Sequence, residues 1–583
     1  MIAMSDETEA LYLGFDLSTQ QLKCLVIDQN LKLLHSETIG FDKDLCHYKT
    51  EKGVYFRDDG TAECPVAMWL EAIDMVFDRM SKQKHIDLSL VKAMSGSCQQ
   101  HGSVYWTKEG PKLLKKLDVK ETLKNQLSPQ AFSRNVAPNW QDHSTGEECQ
   151  KFEDSCGGAA QLANITGSRA HHRFTGPQMM KISKKEPETY AKTDKISLVS
   201  SFLASILAGE YTPLEEADAC GMNLYDVEKR DYDEALLQNV DQDTKRLRKK
   251  LGGNPIPSEH PKPVGTLSSY FVEKYGLNPS CQIFPFTGDN LATICSLPLK
   301  PNDVLVSLGT STTILLVTDQ YHPSPNYHLF LHPTIPHHYM GMICYCNGAL
   351  ARESIRDQLS NSHDLELFNK AVNSSMLNND NEIACYFPLG EIVPNVPSSY
   401  RRATFSKSAD GMGVQLKLKD AFDSVEHDAK NIVESQALSC RVRISPLLSK
   451  DCADVNCKMG DSVVHFDCDN FPLSEYTKRP RRAFFVGGAS KNDAIVNRFA
   501  QILGATEGNY RLETPNSCAL GGCYRALWSH LYYEGVTSAA FDQFLNKAFR
   551  WETDVQSLGV TDEKSWLHYN SKIHALSELE KTL

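Results

Sequence analysis

The chain has 583 residues, 41% of them hydrophobic and 23% charged, with 34 glycines and 26 prolines. That length allows two to four domains and a large core, and the composition excludes disorder, collagen-like repeats and coiled coil. Lys+Arg 61 against Asp+Glu 73 gives a net charge of -12, which disfavours general adhesion to nucleic acid or an anionic membrane, so any phosphate ligand must be held by local groups.

The first ten residues carry three acids and no apolar run, and no window reaches eighteen uninterrupted apolar residues, so neither a signal peptide nor a membrane span is expected. The 18 cysteines follow no repeating framework, and several lie in apolar segments such as Ile343-Cys344-Tyr345-Cys346. Reduced thiols and a cytoplasmic location are the expectation.

Leu11-Tyr12-Leu13-Gly14-Phe15-Asp16 reads as a strand, Leu17 to Gln21 as a polar turn and Leu22 to Ile27 as a second strand. Pro65 opens an amphipathic helix whose apolar face is Val66, Trp69, Leu70, Ile73, Val76, Phe77 and Met80. Leu90 to Met94 reads as a strand running into Ser95-Gly96-Ser97-Cys98-Gln99-Gln100-His101-Gly102, a polar end able to face a ligand. Ile283 to Phe286 is an apolar approach to Thr287-Gly288-Asp289-Asn290, with a helix after it. Asp289 there either caps that helix or serves as a general base, and spacing leaves both open.

Asp303 to Leu308, Gly309-Thr310-Ser311-Thr312 and Ile314 to Val317 repeat the opening strand, hydroxyl-rich turn and strand. The chain therefore reads as two related halves, each opening on the same hairpin. Phe484-Phe485-Val486 enters Gly487-Gly488-Ala489-Ser490, after which Ile495, Val496, Phe499, Ile502 and Leu503 form one face of a helix ended by Gly504. Ser439 to Pro480 is polar and aperiodic and reads as a surface insertion. Its Cys452, Cys457, His465 and Cys468 lack the C-x-x-C spacing of a zinc knuckle.

A phosphate needs backbone N–H donors, small side chains and commonly a magnesium ion held by carboxylate and water. Asp16-Leu17-Ser18-Thr19, Gly309-Thr310-Ser311-Thr312 and Gly487-Gly488 each fit part of that need. Gln100, His101, Trp140-Gln141-Asp142, Arg169, His171, His172 and Arg173 supply the hydrogen-bonding and aromatic groups that a polyhydroxylated substrate requires. There is no G-x-x-x-x-G-K-[S/T] loop and no H-R-D with D-F-G set, which removes two familiar phosphoryl-transfer architectures.

Four segments, Gly14 to Gln21, Ser97 to Gly102, Thr287 to Asn290 and Gly487 to Asn492, resemble the FGGY carbohydrate kinases. Ala137 to Ser144, Leu162 to Gln178, Val304 to Thr313 and Glu513 to Ser517 extend the likeness to members acting on D-xylulose. The resemblance implies an α/β fold of two ribonuclease H-like domains of the actin and hexokinase type with a catalytic cleft between them. It implies residues 1–292 as a sugar-binding domain, and 293–583 as a nucleotide-binding domain with the polar insertion around 440–480.

It further implies ATP-dependent phosphorylation of D-xylulose to D-xylulose 5-phosphate with Mg2+, Asp289 acting as base and Asp16 orienting the metal. His101, Arg173, Asp289 and Asn290 would contact the sugar, with Gln100, Trp140 and Asp142 lining its pocket and Arg169 the alternative to Arg173. Ser18, Thr19, Gly309, Thr310, Ser311, Gly488, Ala489 and Asn492 would serve the nucleotide, without the tryptophan that some relatives carry near Leu365. The partners implied are these small molecules, with no nucleic acid and no membrane; oligomeric state is left open. Alternatives are a kinase for another ketose or polyol, such as L-ribulose, glycerol or a pentitol, and an actin-like ATP-binding sugar sensor.

Overall fold

The first hairpin forms where the two apolar runs and the polar turn between them place it. Strands β1 (Leu11–Leu17) and β2 (Gln21–Asp28) pair antiparallel, with Leu13 opposite Val26 and Asp16 opposite Lys23. β3 (Leu33–Gly40) extends the sheet on the β2 side. The helix α1 (Val66–Ser81) buries all seven apolar residues of its predicted face. Pro65 stands at its N-cap rather than at the first helical position, because it still belongs to the short strand Ala62–Pro65. β4 (Val91–Cys98) runs four residues beyond the expected Met94, since Ser95, Gly96 and Ser97 continue its parallel pairing with β1.

The computed structural model describes residues 10–259, 261–359, 365–375, 377, 379–408, 413–449, 463–466, 469–472, 478–512 and 516–583. The chain divides into two compact units. The first comprises Met1–Pro298, Leu329–His337 and Pro515–Phe549; the second comprises Leu299–His328, His338–Thr514 and Arg550–Leu583.

In the first unit β5 (Gly265–Thr266), β6 (Gln282–Ile283) and β4 join β1 to β3 in the order β5-β6-β4-β1-β2-β3. A further short strand, β7 (Thr287–Gly288), also pairs parallel with β4 and leads directly into helix α2 (Asp289–Ile294). The second unit contains β8 (Asp303–Leu308), β9 (Thr312–Thr318), β10 (Tyr339–Tyr345), β11 (Arg482–Val486), β12 (Gly508–Leu512) and β13 (Val555–Gly559). Their order is β13-β12-β11-β8-β9-β10.

Both sheets follow one sequence of pairings across these strands: antiparallel, parallel, parallel, antiparallel, antiparallel. A strand order and set of directions that recurs in full is the physical content of the duplication read from the two hairpins.

Set against two continuous halves, the difference is the return of Ser517–Tyr533, a helix late in the chain, to the first sheet. It lies on β1 and β4 at glycine distance. A methyl on Gly522 would stand 2.7 Å from Gly96 Cα, closer than packed atoms allow, so neither position has room for a side chain.

Helices α3 (Ala349–Leu359), α4 (Leu365–Asn373), α5 (Val425–Ile444) and α6 (Asp493–Leu503) belong to the second unit. The polar stretch expected from about residue 440 starts later than that. Cys440 to Ile444 complete α5 as buried residues, Ser445–Leu447 form a helical turn, and the side chains of Cys452, Cys457, His465 and Cys468 lie outside the described residues. The start is misplaced because Arg441 and Arg443, polar in sequence, are buried in structure: Arg443 pairs with Glu580 at 2.9 Å, and Arg441 stacks on Trp566.

Candidate active site

In the first unit β4 is the common neighbour of β1 and β7, with Ser97 opposite Asp16 on one side and Thr287 on the other. This pairing brings the ends of three strands together, and those ends carry Asp16, the Gln100-His101 turn and Asp289. Asp16 is 8% exposed, and Ser97 Oγ donates to its Oδ1 at 2.9 Å. Burial pushes its carboxyl up to about 6, against the opposing pull of Ser97 and Lys23.

Asp289 is the first residue of α2, and Gly288 occupies the N-cap. The capping alternative is therefore set aside. Its Oδ1 accepts from the Asn290 backbone amide at 2.8 Å and from Asn290 Nδ2 at 3.0 Å. Burial first, and the Asp16 charge second, push the Asp289 carboxyl up to about 7, while Arg173 pulls it back. A carboxylate near neutrality at a strand end is what a general base for a hydroxyl requires.

His101 has φ 71°, a conformation unusual outside glycine and typical of residues held by a functional site. Its ring stacks on Phe174 at 4.4 Å, and Nδ1 lies 2.9 Å from the Gly221 carbonyl oxygen. Burial and then the Arg173 charge push the imidazole down to about 3. The ring is therefore neutral. Because a carbonyl can only accept, the proton sits on Nδ1 and Nε2 presents a lone pair able to receive a hydroxyl proton.

Gln100 Oε1 accepts from Asn290 Nδ2 at 3.1 Å, and its side-chain amide bears on the buried Asp218 carboxyl, opposing the rise that burial causes there. An amide beside a neutral imidazole acceptor and a carboxylate matches the alternating donors and acceptors of a sugar's hydroxyls. Arg169 is engaged by Glu153, with Nε to Oε1 at 3.2 Å, whereas Arg173 acts on the charge of both His101 and Asp289.

Asp142 and Trp140 each have hydrogen-bond partners of their own. Asp142 is 1% exposed, and its oxygens accept from Gln178 Nε2 at 2.8 Å, the Ser144 amide at 2.9 Å and the Ala62 amide at 3.1 Å, so it braces the surrounding turn. Trp140 is 45% exposed and donates to Thr19 Oγ1 at 2.8 Å. Ser18 is tied into its own turn, its hydroxyl donating to the Gln21 carbonyl at 3.1 Å.

In the second unit a pocket of about 450 Å³ is lined by Gly309, Thr310, Gly488, Ala489 and Asn492, together with Arg352, Leu365 and Phe368. Ser311, in the same turn as Gly309 and Thr310, is not part of the lining. Gly487, with φ 90°, makes the bend into this segment, and a methyl on it would strike the Leu308 backbone at 2.8 Å. Gly488 has open space where its side chain would be, leaving backbone accessible to a ligand. Asn492 caps α6 through Oδ1, which accepts from the amides of Ala494 at 3.0 Å and Ile495 at 3.2 Å, and its Nδ2 donates to Asn369 Oδ1 at 2.7 Å.

Comparison with known proteins completes the assignment. The profile of the FGGY family of carbohydrate kinases, N-terminal domain, matches residues 11–125 and 135–295, and that of its C-terminal domain matches 304–530. The chain belongs to the FGGY family of carbohydrate kinases. It is 57% identical to a xylulose kinase of Saccharomyces cerevisiae, covering 99% of this chain and 97% of that one. It is 41% identical to a probable D-xylulose kinase A of Aspergillus fumigatus over 98% and 97% of the two chains.

A ligand-bound xylulose kinase from Lactobacillus acidophilus superposes with TM-score 0.71 at 16% identity, covering 98% of each chain. A Plasmodium falciparum glycerol kinase with ADP superposes with TM-score 0.72 at 14% identity, covering 99% of this chain and 98% of that one. At such identities these two carry the FGGY kinase fold and nothing about substrate.

The sequence reading passed over Glu215, Asp218 and Arg525. Glu215 and Arg525 form an ion pair at 3.1 Å with both side chains about 97% buried. Burial pushes Asp218 up to about 7, with Glu215 and Asp289 adding to the effect. The available signal was the acidic run Glu215-Glu216-Ala217-Asp218 among apolar neighbours, which has no motif to mark it. Among the described residues no group of three or more His, Cys, Asp or Glu side chains is arranged to hold a metal, and no helix is long and apolar enough to cross a membrane.

Proposed function

We propose that this chain transfers the γ-phosphoryl group of ATP to the terminal O5 hydroxyl of D-xylulose, giving D-xylulose 5-phosphate and ADP. The observation that carries the substrate is the 57% identity, over nearly the whole chain, to a xylulose kinase. The sugar is assigned to the first unit, against His101, Arg173, Asp289, Asn290 and Gln100. The nucleotide is assigned to the second unit, along Gly309, Thr310, Gly488, Ala489 and Asn492.

Asp289 accepts the O5 proton as that oxygen attacks the γ-phosphorus, the bond to the β-γ bridging oxygen breaks and ADP leaves. Asn290, donating twice to Asp289 Oδ1, leaves Oδ2 for the incoming proton. His101 Nε2 and the Gln100 amide hold other hydroxyls, fixing which oxygen faces the base.

Mg2+ favours a carboxylate with water and phosphate oxygens around it, and Asp16 offers one such carboxylate, oriented by the Ser97 hydroxyl on Oδ1. When bound, the ion supplies charge neutralisation at the phosphoryl oxygens. The cytoplasm is the proposed compartment, in keeping with the buried thiols of Cys24, Cys64 and Cys98.

The test is sugar-dependent ADP release with Mg-ATP across D-xylulose, L-ribulose, D-ribulose, glycerol and xylitol. A preference for D-xylulose of tenfold or more, about 1.4 kcal/mol in transition-state binding, is expected. Preference for another sugar would overturn the substrate, and sugar-independent turnover would overturn the kinase.

A further inference from the structure

We infer that Glu215, anchored by Arg525, is the positioning residue that sets the spacing between the base Asp289 and the sugar-binding His101. This rests on the roles proposed above for those two residues. Glu215 is 1% exposed, and both of its carboxylate oxygens are engaged. Its Oε2 accepts from Thr287 Oγ1 at 2.9 Å, and Thr287 lies two residues before Asp289 on β7. The same Oε2 accepts from the Asp218 amide at 2.8 Å, making Glu215 the N-cap of the Glu216–Ala219 helix.

That helix runs directly into the Cys220–Met222 turn, whose Gly221 carbonyl fixes the His101 ring and its tautomer. Asp218, one turn along, accepts from Ser200 Oγ at 2.6 Å, and its own carboxyl is pushed up in part by the Asp289 charge. One carboxylate therefore reaches the base through Thr287 and the histidine through Gly221.

Backbone pairing alone does not secure β7. It has two residues, and its ladder to β4 comprises only Thr287 opposite Ser97 and Gly288 opposite Cys98. So short a ladder leaves the Thr287 hydroxyl bond as a substantial part of what holds the entry to α2. Glu215 itself is held on its other oxygen, Oε1, by Arg525 Nη2 at 3.1 Å. Arg525 comes from the Ser517–Tyr533 helix, so the site is set by a residue 310 positions away in sequence.

A purely structural ion pair would affect stability and leave turnover alone, so the test separates the two. Thr287→Val keeps the side-chain shape and the Glu215–Arg525 pair but removes the hydroxyl. Its kcat for D-xylulose should fall by about tenfold to 10²-fold, the effect of moving a catalytic group by less than about 1 Å, with the KM for ATP unchanged. Thr287→Ser, which retains the hydroxyl, should recover most of that loss.

Glu215→Leu removes the acceptor for Thr287, leaves Arg525 buried without its countercharge and should lower Tm; pairing it with Arg525→Met removes the uncompensated charge and should recover most of that loss. Turnover should stay low in that double variant, and the KM for D-xylulose should rise, because both the base and His101 have lost their reference point. Wild-type kcat and sugar KM in Thr287→Val, or recovery of turnover together with Tm in the double variant, would overturn the inference and leave the kinase reading standing. No sugar-dependent turnover in the wild type would overturn both.

Discussion

Arg169 Nε lies 3.2 Å from Glu153 Oε1, in an ion pair whose side chains are 33% and 12% exposed. A guanidinium already held by a carboxylate has less to offer a neutral sugar. Arg169→Met should therefore lower stability by about 1 kcal/mol, as for a partly exposed pair, and leave the KM for D-xylulose unchanged. Arg173→Met should raise that KM by about tenfold or more, since losing a charge-assisted hydrogen bond to a hydroxyl costs about 1.5–3 kcal/mol. Steady-state kinetics on the two variants decide the point, and the reverse pattern would exchange their roles.

Replacing Asp289 by Asn removes the proton acceptor while keeping the shape. A loss in kcat of about 10²- to 10⁴-fold is expected, with nucleotide affinity retained in calorimetry. In the wild type, kcat/KM should fall as pH drops through about 7, because the base must be ionised and its carboxyl is pushed up to about 7. Stability runs the opposite way. A carboxyl raised from 3.8 in the unfolded chain favours the folded state fully below about 4, and that contribution is lost as pH rises through about 7. Asp289→Asn should accordingly gain Tm relative to wild type at pH 8, and the gain should shrink on acidification. A Tm difference independent of pH would contradict the raised carboxyl.

How much of this was legible in the sequence depends on the range of the interaction. The hairpins of β1 with β2 and β8 with β9 declare themselves by apolar runs and turn chemistry within twenty residues, and the α1 face declares itself by helical period. Asp289 and His101 stand out as polar residues at the ends of apolar runs. That Arg169 is engaged by Glu153 is not legible, since no spacing rule connects the two positions. The Glu215–Arg525 pair and the seating of Gly522 on Gly96 join residues hundreds of positions apart, and close backbone approach has no periodic signature. Arg441 and Arg443 misled for the opposite reason, since a buried arginine reads as surface until its partners are seen.

The His101 imidazole, pushed down from 6.5 to about 3, should stay neutral throughout the working range of the enzyme. Ring chemical shifts of His101 should therefore show no titration between pH 5 and 8, in contrast to exposed histidines. The unfolded chain takes up a proton there and the folded one does not, so acidification below about 6.5 should cost stability. His101→Phe should lessen that cost and weaken sugar binding by about tenfold or more through loss of the Nε2 acceptor. A His101 that titrates near 6.5 would remove the neutral-acceptor role.

Leu365 lines the nucleotide pocket together with Phe368, yet is 53% exposed, a large aliphatic residue left to solvent. An apolar side chain at a pocket rim covers a flat ring weakly, because it offers edge contacts without a π-face. Leu365→Trp would present an indole at that rim. Stacking of about 0.5–1.5 kcal/mol should tighten ADP by about two- to tenfold in calorimetry, with the KM for D-xylulose unchanged. Phe368 is 2% exposed and packs beneath that rim, so Phe368→Leu should weaken ADP through a loosened pocket wall and also lower Tm. Adenosine should report the Leu365→Trp gain as fully as ADP does, since the added contact is to the base. A gain confined to ADP would point to an effect transmitted to the Gly309-Thr310 turn, and unchanged affinity for both ligands would place the adenine away from Leu365.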